Sequence, residues 1–330
     1  MASEIKFLAR IDAITRMNEL ASADIPFVFV IDYDGRHSIV MPEAELDESV
    51  MQFCFSGHGN VSPHYHEYHG EVQWNIYPPS TEEYKQRFDV VKNNLLAGNS
   101  YLVNLTCRIP VITNLSLHDI FCHSDARYKL WLKNQFVCFS PEIFIRIDGR
   151  HITTYPMKGT APDCHGAADR LLADDKEAAE HATIVDLMRN DLSRIARDVS
   201  VSRYRYVDRI ITNNGTILQT SSEIEGYLVN DWKRNIGTML FQMLPAGSIT
   251  GAPKTRTMKI IEEAEGYHRG FYTGIMGRYA DGCLDSAVMI RFIDYHNGTL
   301  YFKAGGGITA RSIWEKEYDE MIQKVYVPIH

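Results

Sequence analysis

A chain of 330 residues with 45% hydrophobic content can bury a sizeable core, and its composition is that of an ordinary globular protein. A net charge of -8 without any Lys/Arg run speaks against a nucleic-acid footprint. The longest apolar run, IPFVFVI at 25–31, is too short to span a bilayer, and MASEIKFLAR lacks a secretory apolar region, so no membrane association and a cytoplasmic location are expected.

No internal repeat or Pro/Gly-rich linker marks a boundary, and residues 1–330 read as one domain. Residues 25–56 read as short strands. In STEEYKQRFDVVKNNLLAGN, Ser80 and Glu83 suit a capping box, Tyr84, Phe88, Val91 and Leu95 form an apolar stripe, and Gly98 suits the C-terminal cap. A helix is expected there, followed by a strand in YLVNLTCRIPV. The histidine-rich GHGNVSPHYHEYHG, 57–70, has the irregular spacing of a Gly/Pro surface loop rather than of a metal site.

FVCFSPEIFIRI and HITTYPM flank Asp148-Gly149 and predict a hairpin. With those two residues as the turn centre, Glu142 faces Tyr155. Lys158, held in a bend between Pro156 and Gly159, then stands three positions on, about 10 Å away at the same open end. On residue type alone Lys158 is a solvated loop lysine. Further helices are expected at 168–196, 230–243, 252–265 and 312–326, with three strands between the last two joined at 281–283 and 296–298. This mixed order argues for an α+β architecture with antiparallel sheets. Six cysteines (54, 107, 122, 138, 164 and 283) include no CxxC pair, which fits free thiols.

In KEAAEHATIVDLMRNDL, Glu177 and Glu180 share a helix face that continues through Ile184, Leu187 and Asp191 toward the core. IWEKEYDEMIQKV repeats the arrangement, with Glu317, Glu320 and Lys324 on one face. Solvated helix glutamates are the ordinary alternative, but carboxylates on a buried face need a cation or strong donor. Two such helices could converge on one site, and oxygen ligands without a His/Cys set favour Mg²⁺ over zinc. PAGSITGAPK, 245–254, opens a helix, and AGGGI, 304–308, puts three glycines between a strand and a helix; both are friendly to an anion such as a small carboxylate.

PMKGT, EHATIVDLMRNDLSRI, PAGSITGAPK, GFYTGIMG, LDSAVMIRF and AGGGITARSIWEKEYDEMIQK together resemble, in order, the motifs of the chorismate-utilising enzymes. The resemblance runs from about residue 75 to the C-terminus and is less clear over residues 1–70. It implies a single large α+β fold with a Mg²⁺-chorismate site between antiparallel sheets and covering helices. Glu180 and Glu320 match the metal ligands, with Glu177 and Glu317 supporting them. Arg291, the amides of Gly305, Gly306 and Gly307, and Lys324 match groups that hold substrate carboxylates, and Thr160 beside Lys158 is a further substrate contact.

At the position of Lys158, aminodeoxychorismate synthases commonly carry lysine, whereas anthranilate synthases and isochorismate-type enzymes carry alanine. The resemblance implies that the amine attacks C2 of chorismate as the C4 hydroxyl leaves, that ammonia then enters at C4 and expels the lysine, and that Glu142 is the general acid. Such an amine must be neutral, and burial beside a metal cation would lower its pKa. Leu102 stands where isochorismate-type relatives carry a water-activating lysine, Gln219 replaces a histidine, and Arg278 replaces a tyrosine. The expected activity is amination of chorismate by ammonia to 4-amino-4-deoxychorismate. No cysteine has a glutaminase context, so a separate glutamine amidotransferase subunit would supply the ammonia. Anthranilate synthase component I, a Schiff-base lysine enzyme and a non-catalytic chorismate-binding protein are the alternatives.

Overall fold

β-branched and aromatic runs punctuated by Gly and Asn/Asp turns build two nine-stranded antiparallel sheets among the described residues of the computed structural model, 5–61, 68–212 and 215–329. One sheet runs Met157–Pro162, Gly215–Tyr227, His151–Thr154, Ile143–Asp148, Cys283–Val288, Ile275–Ala280, Phe27–Ile31 and Ser38–Pro42, with Arg197–Thr212 also on Gly215–Tyr227. The other runs Gly251–Ala252, Leu102–Thr113, Thr299–Ile308, Phe292–His296, Phe136–Ser140, Tyr128–Leu132, Met51–Phe55 and His58–Gly59, with Trp74–Ile76 also on Leu102–Thr113.

Their inner faces share a core in which Val28, Val30 and Met276 of the first sheet meet Phe53, Leu130 and Phe292 of the second. Helices α1 (Arg10–Ser22), α5 (Asp175–Ser193) and α6 (Ile236–Met243) cover the outside of the first sheet. Helices α2 (Thr81–Leu96), α3 (Leu117–His123), α7 (Lys254–Glu265) and α8 (Trp314–Gln323) cover the second. The short α4 (Ala167–Ala173) packs on the strand pair nearest α5. Helix, sheet, sheet and helix therefore stack as an α+β sandwich. No helix among the described residues is long and apolar enough to cross a membrane.

The stripe of α2 is buried at Tyr84, Phe88, Val91 and Leu95, and Ser80 caps it by accepting from Glu83 N at 3.1 Å. All six cysteines are free. Three expectations need correction. The hairpin at 148–149 closes as Asp148 opposite His151, with Gly149 at φ +59, so its register differs by two residues and Glu142 does not face Tyr155. Four strands, not three, lie between α7 and α8, because VMIRF breaks at Arg291 (φ +54) to pass from the first sheet to the second. The helix expected at 168–196 is split at Asp174, whose side chain caps α5 by accepting from Glu177 N at 3.0 Å. Residues 62–67 of the histidine-rich stretch lie outside the described residues.

Candidate active site

The bend in PMKGT is a β-bulge. Strand Met157–Pro162 pairs with Gly215–Tyr227, and the register slips between Lys158 and Thr160 around Gly159, whose φ of +79 a side chain would strain. Thr220 Oγ1 donates to the Lys158 carbonyl and fixes the bulge. Lys158 is thereby aimed at α5, with Nζ 2.9 Å from Glu180 Oε2 and a side chain only 21% exposed. Its neighbour Thr160 lies opposite Gln219 on the backbone; the Thr160 side chain is outside the described residues.

Glu180 is 6% exposed, and Thr309 Oγ1 approaches its other oxygen at 3.5 Å. The carboxylate of Glu177, one turn earlier, packs against Gly159: a Cβ there would sit 3.0 Å from Glu177 Oε2. From α8 come Glu317, which is buried, and Glu320, which is half exposed; Lys324 Nζ stands 2.7 Å from Glu320 Oε1 and donates to Gly305 O at 2.9 Å.

The glycine run joins these two groups. Gly305, Gly306 and Gly307 are not a turn before α8 but part of strand Thr299–Ile308, opposite Thr106, Leu105 and Asn104. A Cβ at Gly306 would lie 3.5 Å from Lys324 Nζ, 3.8 Å from Glu320 Oε1 and 3.9 Å from Glu317 Oε2. One at Gly307 would lie 3.7 Å from Lys158 Nζ and 3.2 Å from Leu102 Cδ1. The missing side chains leave the floor between the two glutamate pairs open.

Burial by itself lowers the pKa of Lys158, but Glu180, through charge and hydrogen bond, and then Glu177 and Glu320 outweigh it, so the amine is held above its ordinary value. In Lys324 the balance is reversed: burial prevails over Glu320 and the pKa is lowered.

Glu142 and Arg291 occupy two of the places where the chain passes between sheets. Ser248 Oγ donates to Glu142 Oε1, and Glu142 N donates to Ser140 Oγ at 3.1 Å. Burial raises the Glu142 pKa, and the Ser248 bond opposes it. Arg291 Nη1 donates to Lys324 O at 2.8 Å while its guanidinium lies 5.0 Å from the Tyr326 ring centroid. Its fork therefore steadies the end of α8.

Ser248 is a site residue that sequence reasoning passed over, because PAGSITGAPK reads as a helix start. Lys254 of that segment turns away to α5, 2.6 Å from Asp191 Oδ2 and 2.7 Å from Met243 O. Arg278 lies elsewhere, paired with Glu43 beside a cavity of about 520 Å³, which is lined also by Arg146, His151 and Asp285 and by none of the glutamates above.

Four carboxylates meet two ammonium groups here, an excess of negative charge in a partly buried place, and their donor chemistry fits a hard divalent cation. Among the described residues no three carboxylate, histidine or cysteine groups stand as a ready metal site; Lys158 and Lys324 engage Glu180 and Glu320 instead.

Comparison with known proteins gives a family profile described as chorismate binding enzyme, which matches residues 14–330. An uncharacterized PabA-like protein of Pasteurella multocida is 47% identical over 317 residues, 96% of this chain and 98% of that one. Aminodeoxychorismate synthase component 1 of Bacillus subtilis is 32% identical over 273 residues, 75% of this chain and 55% of that one. Among solved structures, anthranilate synthase component I of Streptococcus pneumoniae superposes with a TM-score of 0.66 at 28% identity, over 76% of this chain and 58% of that one.

Proposed function

The chain belongs to the chorismate-binding enzymes, and from that premise we propose that it aminates chorismate with ammonia to 4-amino-4-deoxychorismate, the precursor of p-aminobenzoate. The observation that carries this reading is Lys158, bent by the Gly159 bulge onto Glu180 at 2.9 Å and against the open glycine floor. An amine built against that floor is placed to act as a nucleophile once it leaves Glu180 and loses its proton.

In the proposed sequence, Nζ of Lys158 bonds to C2 of chorismate, both ring double bonds shift, from C1=C2 to C1=C6 and from C5=C6 to C4=C5, and the C4–O bond breaks. Glu142, whose pKa burial raises, delivers the proton that lets the hydroxyl leave as water. Ammonia then bonds to C4, both double bonds shift back as the C2–N bond breaks, and the proton ammonia sheds balances the one the departing Lys158 amine takes up. Glycines 305–307, Lys324 and Arg291 hold the carboxylates, for which Lys324 exchanges Glu320 and Gly305 O for substrate. Leu102, beside Lys158 at Gly307, offers no base to activate water. A Mg²⁺ ion held by Glu180 and Glu320, with Glu177 and Glu317 behind them, would supply a Lewis acid for the ring carboxylate.

Ammonia would come from a glutamine amidotransferase partner in the cytoplasm. The thiols of Cys107 and Cys138 are buried and pushed up, Cys107 to about 12, which suits core packing and not glutaminase chemistry. Ortho amination, as in the anthranilate synthase that superposes on this chain, is the second reading. Lys158 favours the first. Mass spectrometry of the protein with chorismate and no ammonia is expected to show an adduct of chorismate less water on the peptide containing Lys158. An adduct that persists in Lys158→Ala would overturn the covalent step.

A further inference from the structure

Arg269 is 3% exposed and lies outside the steps just described, yet all five of its N–H groups are used. Nε donates to Glu265 Oε2 at 2.9 Å and Nη2 to Glu265 Oε1 at 2.5 Å. Nη1 donates to Ile249 O at 3.0 Å and to Thr273 Oγ1 at 3.3 Å, and Nη2 also to Asn104 O at 2.7 Å. Glu265, 2% exposed, completes the network by accepting from Thr106 N at 2.8 Å and Thr106 Oγ1 at 2.7 Å.

The bonds reach two parts of the proposed site at once. Ile249 follows Ser248, whose hydroxyl holds Glu142. Asn104 and Thr106 are the strand partners of Gly307 and Gly305. A second tie, Asn104 N to Thr250 O at 3.0 Å, runs between the same loop and strand. A buried ion pair is weak support for stability as such, since hydrophobic replacements often do as well, but a planar fork with fixed donors sets geometry.

We propose that Arg269 is a positioning residue: it fixes the 247–250 loop against the glycine strand so that Ser248 stays on Glu142. This rests on the reading of Glu142 as the acid. Lysine at 269 keeps the charge for Glu265 but cannot span both the Ile249 and Asn104 carbonyls.

The test is a double-mutant cycle in the full chain with Arg269→Lys and Ser248→Ala, measuring kcat and KM for chorismate with saturating ammonium. Each single change is expected to lower kcat by about 10-fold or more, with the double variant within about threefold of the slower single. Losses that multiply, an unchanged kcat in Arg269→Lys, or an effect confined to KM would overturn the proposal. If Arg269→Lys does not fold, Glu265→Gln, which keeps an acceptor but removes the charge that orients the guanidinium, enters the same cycle with the same criteria. Hydrogen exchange needs no turnover: the peptide covering 247–252 should exchange faster in the 269 or 265 variant while the strand Phe27–Ile31 does not, and equal protection of 247–252 would overturn the positioning role. A wild-type chain that does not aminate chorismate would instead sink the functional reading and leave the exchange result to judge Arg269.

Discussion

Lys158 and Glu180 hold each other in a place where neither would remain charged at low cost alone. Lys158→Ala removes the ammonium 2.9 Å from a carboxylate that is 6% exposed, and a loss of about 1–3 kcal/mol in urea stability is expected together with loss of amination. A variant that keeps wild-type amination would contradict the proposed nucleophile. Glu142→Gln should lower kcat about 100-fold or more, since the proposed proton donor is gone. Its stability has a definite pH dependence. Burial raises the folded pKa of Glu142, so the folded state favours the protonated form, and that contribution is present below the unfolded value of about 4.3 and lost as pH rises through the folded value. Glutamine stays neutral, so the variant should gain stability relative to the wild type between acid and neutral pH. Denaturation curves at several pH values check this, and a difference that shrinks toward neutrality would contradict it. Lys158 was legible in sequence because proline and glycine bracket it. Ser248 was not, since its bond to Glu142 spans 106 positions and nothing local signals it.

At the scale of elements, two helices with an ExxE pair were readable from period alone, and the structure brings the pair of α8 to the glycine strand and the pair of α5 to the Lys158 bulge beside it. The Asp148-Gly149 hairpin was readable too, but its register was not, because an Asp-Gly signal leaves open which pair closes the turn. The apolar run VMIRF concealed a change of sheet, since both halves are buried and no turn residue marks the crossing. The glycine run also divides its own roles. A Cβ at Gly305 would meet the Leu105 carbonyl oxygen and lie 2.6 Å from Thr106 Cα, whereas one at Gly306 finds ordinary contacts of 3.5–3.9 Å. Gly305→Ala is therefore expected to destabilise or unfold the chain. Gly306→Ala should melt within a few degrees of the wild type, as expected of a change well under 1 kcal/mol, and raise KM for chorismate several-fold by filling the floor. Equal melting temperatures for the two would refute this division.

Across the whole molecule, strand and helix order was enough to argue an α+β fold of antiparallel sheets. The sandwich of two nine-stranded sheets was not legible, because face-to-face packing depends on pairings more than a hundred residues apart, such as Phe27 with Tyr279. The family match over residues 14–330 extends across the N-terminal strands, where the motifs were least clear. The proposed division of labour with an amidotransferase predicts that the chain alone uses ammonium and not glutamine as nitrogen donor. Turnover with glutamine and no partner would contradict it. The central claim is tested most directly by identifying, through chromatography and mass spectrometry, what the purified chain makes from chorismate, Mg²⁺ and an ammonium salt, with and without a chelator. The account predicts 4-amino-4-deoxychorismate that disappears with the chelator. Anthranilate as the product, or chorismate left unchanged, would contradict it.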